Sequence, residues 1–291
     1  MRIAGFLPYE VVQVVLRSAV MKRRPWLLLL ALFPASAHGT TLFSSGFDTD
    51  LGFASEASTA DHSVEYGYDY SANGIPSAPN GSGTIGLKIR SNIADNAANG
   101  VAVYTTSGSF TGQYRVSFDL FISNAASGTT EFIGGGVGFS AGSGFLDGAV
   151  LIGSSDGDSG RDFRYYSDGT EDMGMALNNT DDTPTNAFPG AGGNAPGTLA
   201  FTWHTMEIDA DTDAQTASFR IDGNDFGTIS GVDVSGGVSL VYADLFSSLA
   251  NPSEDAFGVY DNLVVTQIPE PSSAVLLLGG FLALCVRRRR Q

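Results

Sequence analysis

The residues best suited to chemistry are three acidic side chains in the segment Glu207-Ile208-Asp209-Ala210-Asp211. Alternate residues of a β-strand project from one face, so Glu207, Asp209 and Asp211 would lie side by side. Retaining glycosidases use two carboxyl groups about 5 Å apart, one as nucleophile and one as acid and base. The segment ends directly in a turn, however, and few aromatic residues surround it. We therefore expect the polar face of an exposed hairpin rather than an enzyme.

A second acidic group has the composition of a calcium-binding loop. Asp156, Asp158 and Asp162 lie in a short segment rich in glycine and serine, and calcium prefers oxygen ligands in a flexible turn. No glutamate closes the loop, so it is not an EF-hand. Because aspartate favours turns in any case, an acidic turn that binds nothing is the alternative.

Three tyrosines alternate in the segment Glu65-Tyr66-Gly67-Tyr68-Asp69-Tyr70. In an extended strand, Tyr66, Tyr68 and Tyr70 would present their rings on one side. Sugar-binding surfaces need aromatic rings beside polar groups, so these residues are candidates for contact with a glycan. The alternative is that the rings pack on the rim of the fold.

The charge of the chain excludes some partners. Between residues 38 and 268 there are six basic residues and 29 carboxylates, a net charge of −23. Such a surface repels nucleic acid and attracts cations, or it serves solubility alone. The single cysteine, Cys285, lies close to the C-terminus, so the body has neither an internal disulfide nor a thiol for catalysis. The histidines, three in all, are scattered and form no ligand pair.

The alternation of apolar and polar residues predicts an all-β fold. Tyr114, Val116, Phe118, Leu120 and Ile122 would share one face of a strand. The segments 203–209 and 217–222 read as a hairpin whose buried face holds Met206, Ile208, Phe219 and Ile221. About a dozen strands separated by glycine, aspartate, asparagine and serine predict a sandwich of two sheets.

The hairpin carries a family resemblance. Trp203, the run Glu207-Ile208-Asp209 and the run from Ala217 to Gly223 resemble the central hairpin of concanavalin A-like, or laminin G-like, jelly rolls. The acidic run also resembles the Glu-x-Asp-x-Glu signature of laminarinase-like glycosidases, although Asp211 replaces the acid/base glutamate.

The same resemblance implies a calcium site that joins the chain ends. In carbohydrate-binding jelly rolls, carboxylates of the first strand and of the closing strand often share a structural calcium ion. Asp48, Asp50 and Asp261 match that arrangement. Structural Ca²⁺ is therefore the one cofactor expected here, and this site is preferred over the loop at Asp156.

The N-terminal region, 1–37, has the form of a secretory signal. Met21 begins a basic segment, Trp26 to Phe33 is apolar, and Ala35-Ser36-Ala37 is a small-x-small cleavage site for signal peptidase. Met21 therefore reads as the true start of translation. The apolar stretch is too short to span a membrane comfortably, which favours cleavage over anchoring.

The C-terminal region, 268–291, has three parts in a specific order. Pro269-Glu270-Pro271 is followed by an apolar run, 274–286, and then by four arginines. As a helix the run is about 20 Å long, and the arginines would hold its end on the cytoplasmic side. The order resembles the PEP-CTERM sorting signal, which implies processing by an exosortase.

The sequence predicts a domain organisation of three regions and a function. A signal region, 1–37, precedes a β-sandwich, 38–267, and a sorting tail, 268–291, whose transmembrane helix anchors the chain before processing. We expect an exported protein of the cell surface or extracellular matrix that associates with extracellular polysaccharide without catalysis. The alternatives are a glycoside hydrolase that uses Glu207 and Asp209, and a purely structural envelope protein.

Overall fold

The computed structural model describes residues 39–107, 109–123, 131–157, 160–180, 184–192, 195–246 and 255–269. These residues form strands and two short 3-10 turns, at Tyr70–Asn73 and Thr185–Ala187. The strands, numbered along the chain, are β1 Thr41–Ser45, β2 Phe53–Ala57, β3 His62–Asp69, β4 Ile85–Ser91, β5 Asn99–Thr105, β6 Gln113–Ser123, β7 Glu131–Phe139, β8 Ala149–Ser154, β9 Phe163–Ser167, β10 Thr170–Glu171, β11 His204–Asp211, β12 Thr216–Ile221, β13 Asn224–Ser230, β14 Gly237–Asp244 and β15 Phe257–Gln267.

Two antiparallel sheets face each other. The first sheet has the order β13-β12-β11-β6-β15-β4-β3, with β1 paired to β15, and the second has the order β10-β9-β8-β7-β14-β5-β2. The chain crosses repeatedly from one sheet to the other, as in jelly rolls, so that sequence neighbours such as β5 and β6 lie in different layers. The predicted all-β sandwich is confirmed.

The space between the sheets holds the main core. The five alternating residues of β6 that were predicted to share a face are all buried there, as are the four predicted residues of the hairpin: Tyr114, Val116, Phe118, Leu120, Ile122, Met206, Ile208, Phe219 and Ile221. Their neighbours on β6 and β11 point to the outer face of the first sheet. The period of two fixes this assignment, because a slip of one residue would expose every apolar side chain.

Strand β15 changes partner half-way along its length. Its first half pairs with β4 at Gly258–Tyr260, its second half pairs with β1 at Leu263–Thr266, and its other edge pairs with β6 throughout. The register shifts between Asp261 and Val264, where Asn262 adopts a φ of 54°. This bulge turns the side chains of Asp261 and Asn262 toward the outer face of the first sheet.

The predicted signal region and, apart from Ile268 and Pro269, the predicted sorting tail fall outside the described residues, because 1–38 and 270–291 are not described. The predicted helix 274–286 is among them. Within the part of the chain that is described, no helix has both the length and the apolar character needed to cross a membrane.

Candidate functional sites

Asp119 is the centre of a hydrogen-bond network on the outer face of the first sheet. Its carboxylate is fully buried and accepts four hydrogen bonds: from the backbone N–H of Asn80 (3.0 Å), from Nδ2 of Asn80 (2.7 Å), from the hydroxyl of Thr205 (2.7 Å) and from Nδ2 of Asn262 (2.8 Å). Asp119 therefore ties the loop 74–83, which we call the strap, to β11 and to the bulge of β15.

The strap is fastened at further points. Nε1 of Trp203 donates to the carbonyl of Pro76 (2.7 Å), and the hydroxyl oxygen of Tyr70 lies 3.0 Å from the carbonyl oxygen of Gly83. The Tyr70 ring is buried and meets Trp203 edge to face at 5.2 Å between centroids. The strap is thus held to the polar hub at Asp119 through Asn80, and to the aromatic pair Tyr70 and Trp203 through the carbonyls of Gly83 and Pro76.

Asp261 lies next to this hub. One carboxylate oxygen accepts from the hydroxyl of Tyr70 (2.9 Å), and the other accepts from the backbone N–H of Asn262 (2.7 Å). Burial raises the pKa of Asp261, and the negative charges of Asp119 and Asp48 add to the effect, although the two hydrogen bonds oppose it. The protonated form of Asp261 is therefore favoured relative to an exposed aspartate.

The three-carboxylate calcium site that would join the chain ends is not assembled. A Cβ on Gly46 would lie 3.6 Å from Oδ2 of Asp48 and 4.0 Å from Oδ1 of Asp261, so these two carboxylates do approach. Asp50 acts on Tyr66 instead: burial of the ring and, after it, the charge of Asp50 raise the pKa of this tyrosine to about 12. The reason is the chain path, because β1 ends at Ser45 and the following turn leads away to β2 in the other sheet.

Nowhere among the described residues do three or more histidine, cysteine, aspartate or glutamate side chains come together in a way that could hold a metal ion. The predicted set Asp48, Asp50 and Asp261 therefore does not fit calcium as an all-carboxylate site.

The predicted row of tyrosine rings is also not formed. Tyr66 is half-buried and packs on Phe53, with ring centroids 6.0 Å apart. Tyr68 meets the edge of Phe257 and the ammonium of Lys88, whereas Tyr70 is buried. A register shift in β3 at Gly67, whose φ is 69°, breaks the alternation, and Tyr70 already belongs to a 3-10 turn. All three rings make contacts within the fold.

Glu207, Asp209 and Asp211 do share the outer face of the first sheet, as predicted from their alternation. Two arginines, one from the strand on each side of β11, each contact the first two carboxylates. Nε and Nη2 of Arg115 donate to Asp209 at 2.6 and 2.9 Å, and Nη2 of Arg220 donates to it at 2.8 Å. Both guanidinium groups also contact Glu207, at 3.4 and 3.3 Å. We call these four residues the charge ladder.

The charge ladder favours the ionised form of Asp209. Burial alone would raise the pKa of Asp209, but the hydrogen bonds and charges of Arg115 and Arg220 outweigh it and lower the pKa. The pKa of Asp211 is lowered by the backbone N–H of Ala214 and the amide of Gln113. A glycosidase of this type needs one carboxylic acid that keeps its proton, so these partners oppose that chemistry.

The loop predicted as the alternative calcium site is only partly described, because Asp158 lies outside the described residues. Asp162 is fully buried and accepts from the hydroxyl of Ser154 (3.0 Å) and from the backbone N–H of Asn179 (2.8 Å). Oδ1 of Asp156 is shielded from solvent. The loop thus meets the segment around Asn179, a residue that the spacing of aspartates did not suggest.

The last strand runs directly into the predicted sorting tail. The backbone N–H of Gln267 donates to Thr40 (2.8 Å), and that of Ile268 donates to Gln113 (2.8 Å). The side chain of Gln267 also donates to the carbonyl of Gln113 (2.7 Å). A Cβ on Gly39 would lie 2.2 Å from the carbonyl oxygen of Gln267, so only glycine allows the two chain segments to approach this closely. Pro269 follows without a linker.

The segment after this strand matches a known signal. The PEP-CTERM protein-sorting motif covers residues 267–290. The chain carries a PEP-CTERM sorting signal. That signal indicates an exported, envelope-associated protein, and it begins on the last residue of β15. The motif predicted from Pro269, Glu270 and Pro271 is confirmed, although Glu270 and Pro271 lie outside the described residues.

Several solved structures are similar to the sandwich. A protein of unknown function with a galectin-like fold from Bacillus subtilis is 9% identical, with a TM-score of 0.43, over 79% of this chain and 96% of that chain. The β-glucanase of Bacillus licheniformis is 12% identical, with a TM-score of 0.40, over 79% and 99%. The carbohydrate-binding module CBM66 from Bacillus subtilis is 11% identical, with a TM-score of 0.35, over 62% and 86%. No curated protein matches the chain.

Asp119 and Asn80 are the residues that sequence reasoning missed. Asp119 reads as one more polar residue on the outer face of β6, and Asn80 lies in a loop of low complexity. One feature of the sequence could have indicated Asp119. It is the acidic residue on the outer face of β6, where the other residues are Arg115, Ser117 and Phe121. Its partners come from positions 39 to 143 residues away, which spacing cannot reveal.

Proposed function

We propose that this chain is an exosortase-sorted protein of the cell surface or extracellular matrix, and that its sandwich is a non-catalytic module associated with polysaccharide. The observation that carries the proposal is the sorting motif at 267–290, placed directly after the last strand. In this proposal signal peptidase removes the N-terminal segment. An exosortase then processes the tail, which anchors the chain in the membrane until that step.

The absence of catalysis is supported by the charge ladder. Glu207 and Asp209 neutralise two arginines, and the pKa of Asp209 is lowered rather than raised. A carboxylate whose ionised form is favoured in this way lacks the proton of a general acid.

Association with polysaccharide is supported by a shallow depression of about 490 Å³ on the outer face of the first sheet. Its polar lining consists of hydroxyl, amide and backbone groups, contributed in part by Ser45, Asn80, Ser117 and Asn262. These neutral groups can donate to and accept from sugar hydroxyls. With no aromatic ring in the lining, binding at one site is weak, and a polymer gains affinity through repeated contacts.

The test is retention of the full chain on the extracellular polysaccharide of the producing cell, measured by co-sedimentation. Ser117→Tyr fills the depression from β6 and should reduce retention at least several-fold. Ser218→Tyr, on the same outer face but on β12, is the matched control and should bind like the wild type. If the wild type does not sediment with the polysaccharide, the association is refuted and a purely structural envelope protein remains.

A further inference from the structure

A pocket lined by aromatic rings lies on the outer face of the first sheet. Its volume is about 330 Å³, and its lining includes the rings of Phe121 on β6, Phe257 on β15 and Phe201 in the segment before β11. Ligand pockets range from about 300 to 1,000 Å³, so this one has room for a single ring-sized group rather than for a chain.

The strap separates this pocket from the depression described above. Asn80 of the strap lines the depression, whereas Ile75 of the strap lines the pocket. Asn80 is bonded to Asp119, which lies on β6 between Ser117 of the depression and Phe121 of the pocket. The two concave regions are therefore different sites, one on each side of the strap.

Phe201 is held in a backbone conformation that bulky residues rarely adopt. Its φ is 57°, in the left-handed region. Its backbone N–H donates to the carbonyl of Ile122 (2.8 Å), and its ring packs so closely on Gly192 that a Cβ there would collide with it. Strain of this kind persists only where the surrounding structure determines it, and it concentrates at ligand sites. The fold therefore fixes this ring at the pocket at a cost in strain.

Three polar side chains border the rings. Asn73, Ser123 and Asp255 line the same pocket. Oδ1 of Asn73 accepts from the hydroxyl of Tyr68 (2.7 Å), so Nδ2 is the atom of this amide that can donate to a ligand. Aromatic faces beside an amide, a hydroxyl and a carboxylate match a pyranose ring, which has C–H groups on its faces and hydroxyls around its edge.

The charges at the pocket favour a neutral ligand. Asp255 contributes a carboxylate, and the body as a whole carries a large excess of negative charge, so an acidic sugar is repelled. The ammonium of Lys88 lies 4.7 Å from the ring centroid of Tyr68 and 4.8 Å from that of Phe257. The chain thus places its own cation beside these rings, which disfavours a second one.

We propose that this pocket binds one neutral pyranose residue of a polysaccharide. The inference rests on the proposed function for the source of the sugar and adds a second, aromatic site to it. Strand β6 begins at Gln113, whose carbonyl accepts from Ile268 at the start of the sorting tail, and it ends at Ser123 in the pocket. Its 11 residues span about 33 Å. The pocket therefore lies at the end of the sheet opposite to the tail, which an anchored chain leaves open to polymer outside the cell.

The test uses the full chain and the methyl glycosides of glucose, galactose and mannose, followed by saturation-transfer NMR and tryptophan fluorescence. At least one glycoside should receive saturation on its C–H protons, because they would lie on the aromatic rings. The same glycoside should change the emission of Trp203, whose ring lies 5.6 Å from that of Phe121. Glucuronic acid, a pyranose that carries a carboxylate, should bind at least fivefold more weakly than this glycoside.

Two variants alter the pocket in different ways. Phe201→Asn removes one ring and should weaken binding at least fivefold, while asparagine tolerates the left-handed conformation at this position. Ser123→Tyr fills the pocket from β6 and should weaken binding at least tenfold. The matched control, Ser218→Tyr, adds the same ring to the outer face at β12 and should bind within twofold of the wild type. Thermal melting checks that each variant is folded.

Three results would overturn the proposal. The first is a wild type that transfers no saturation to any of the three glycosides. The second is glucuronic acid that binds as well as the best of them. The third is binding kept in Ser123→Tyr but lost in Ser117→Tyr, which would move the sugar to the depression. Co-sedimentation with whole polysaccharide tests the proposed function separately. Retention without glycoside binding would refute the pocket alone, and glycoside binding without retention would refute the polysaccharide as the source of the sugar.

Discussion

Asp209 and Asp261 both lie on the outer face of the first sheet, yet the charges around them have opposite signs. Asp209 meets two guanidinium groups, which lower its pKa. Asp261 meets a tyrosine hydroxyl, a backbone N–H and two other carboxylates, and its pKa is raised. The difference comes from the neighbouring strands. Asp209 lies on β11, and the strands on both sides of β11 carry an arginine, whereas Asp261 of β15 is paired with Asp119 of β6.

The first sheet accommodates carboxylates on its outer face in two ways. The charge ladder neutralises its acids and leaves them partly exposed, between 26% and 27% at Glu207 and Asp209, so water and salt still screen them. The hub at Asp119 excludes water and satisfies its acid with neutral donors. We therefore expect the hub to matter most for stability and the ladder to matter most for pH dependence.

The largest effect is expected for Asp119→Ala. The substitution removes an acceptor of four hydrogen bonds and detaches the strap, so we expect a loss of about 2–4 kcal/mol in the free energy of unfolding. Urea unfolding of the full chain measures it. Asp213→Ala, an exposed turn residue, should change the free energy by less than about 0.5 kcal/mol. Equal effects of both variants would refute the role of the hub.

A smaller effect is expected for Asp209→Asn, at about 1 kcal/mol near neutral pH, since the charge ladder is partly exposed. The folded-state pKa of Asp209 is lowered, so its contribution is present above the unfolded pKa and is lost as the pH falls through the folded pKa. The difference in stability between wild type and Asp209→Asn should therefore vanish in acid. A constant difference across the acid range would contradict this.

The pH dependence of Asp261→Asn should have the opposite sign. The folded-state pKa of Asp261 is raised, so its favourable contribution exists below the unfolded pKa and is lost as the pH rises through the folded pKa. Near neutral pH the variant should match or exceed the stability of the wild type, because it removes a buried charge and lets Tyr70 accept from the new amide and donate to Gly83 instead. Denaturation curves at a series of pH values measure how the stability difference between wild type and each variant changes with pH. If this difference changes in the same direction for Asp209→Asn and Asp261→Asn, the two aspartates do not differ as described.

The smallest effect is expected for Glu207→Gln on the cleavage of β-glucans, where we expect no difference from the wild type. Wild type and Glu207→Gln should both release no reducing sugar from β-glucans, because the ladder opposes acid catalysis. The control is an active glucanase under the same conditions. Cleavage by the wild type that is lost in Glu207→Gln would support the hydrolase and refute our assignment.

The sequence predicts the sandwich well because alternation is a local property. The buried faces of β6 and of the hairpin β11–β12 follow from the period of two alone. The sites are less predictable, since a site depends on which strands become neighbours. Asp50 fails to join Asp48 because the turn after β1 leads into the other sheet, and Tyr70 leaves its row because the chain enters a 3-10 turn. The arginine partners of Asp209 lie 94 and 11 residues away.

The sorting of this chain is tested most directly in its producing cell, where mass spectrometry measures the length of the full chain and cell fractionation shows where it is located. Wild type should appear outside the cytoplasmic membrane, shortened at the C-terminus near Pro269, and in the polysaccharide fraction. A variant with alanine at Pro269, Glu270 and Pro271 should keep its C-terminus and stay in the membrane fraction. If both chains retain the full C-terminus, or if both distribute alike, the sorting signal does not act as proposed and the central claim is contradicted.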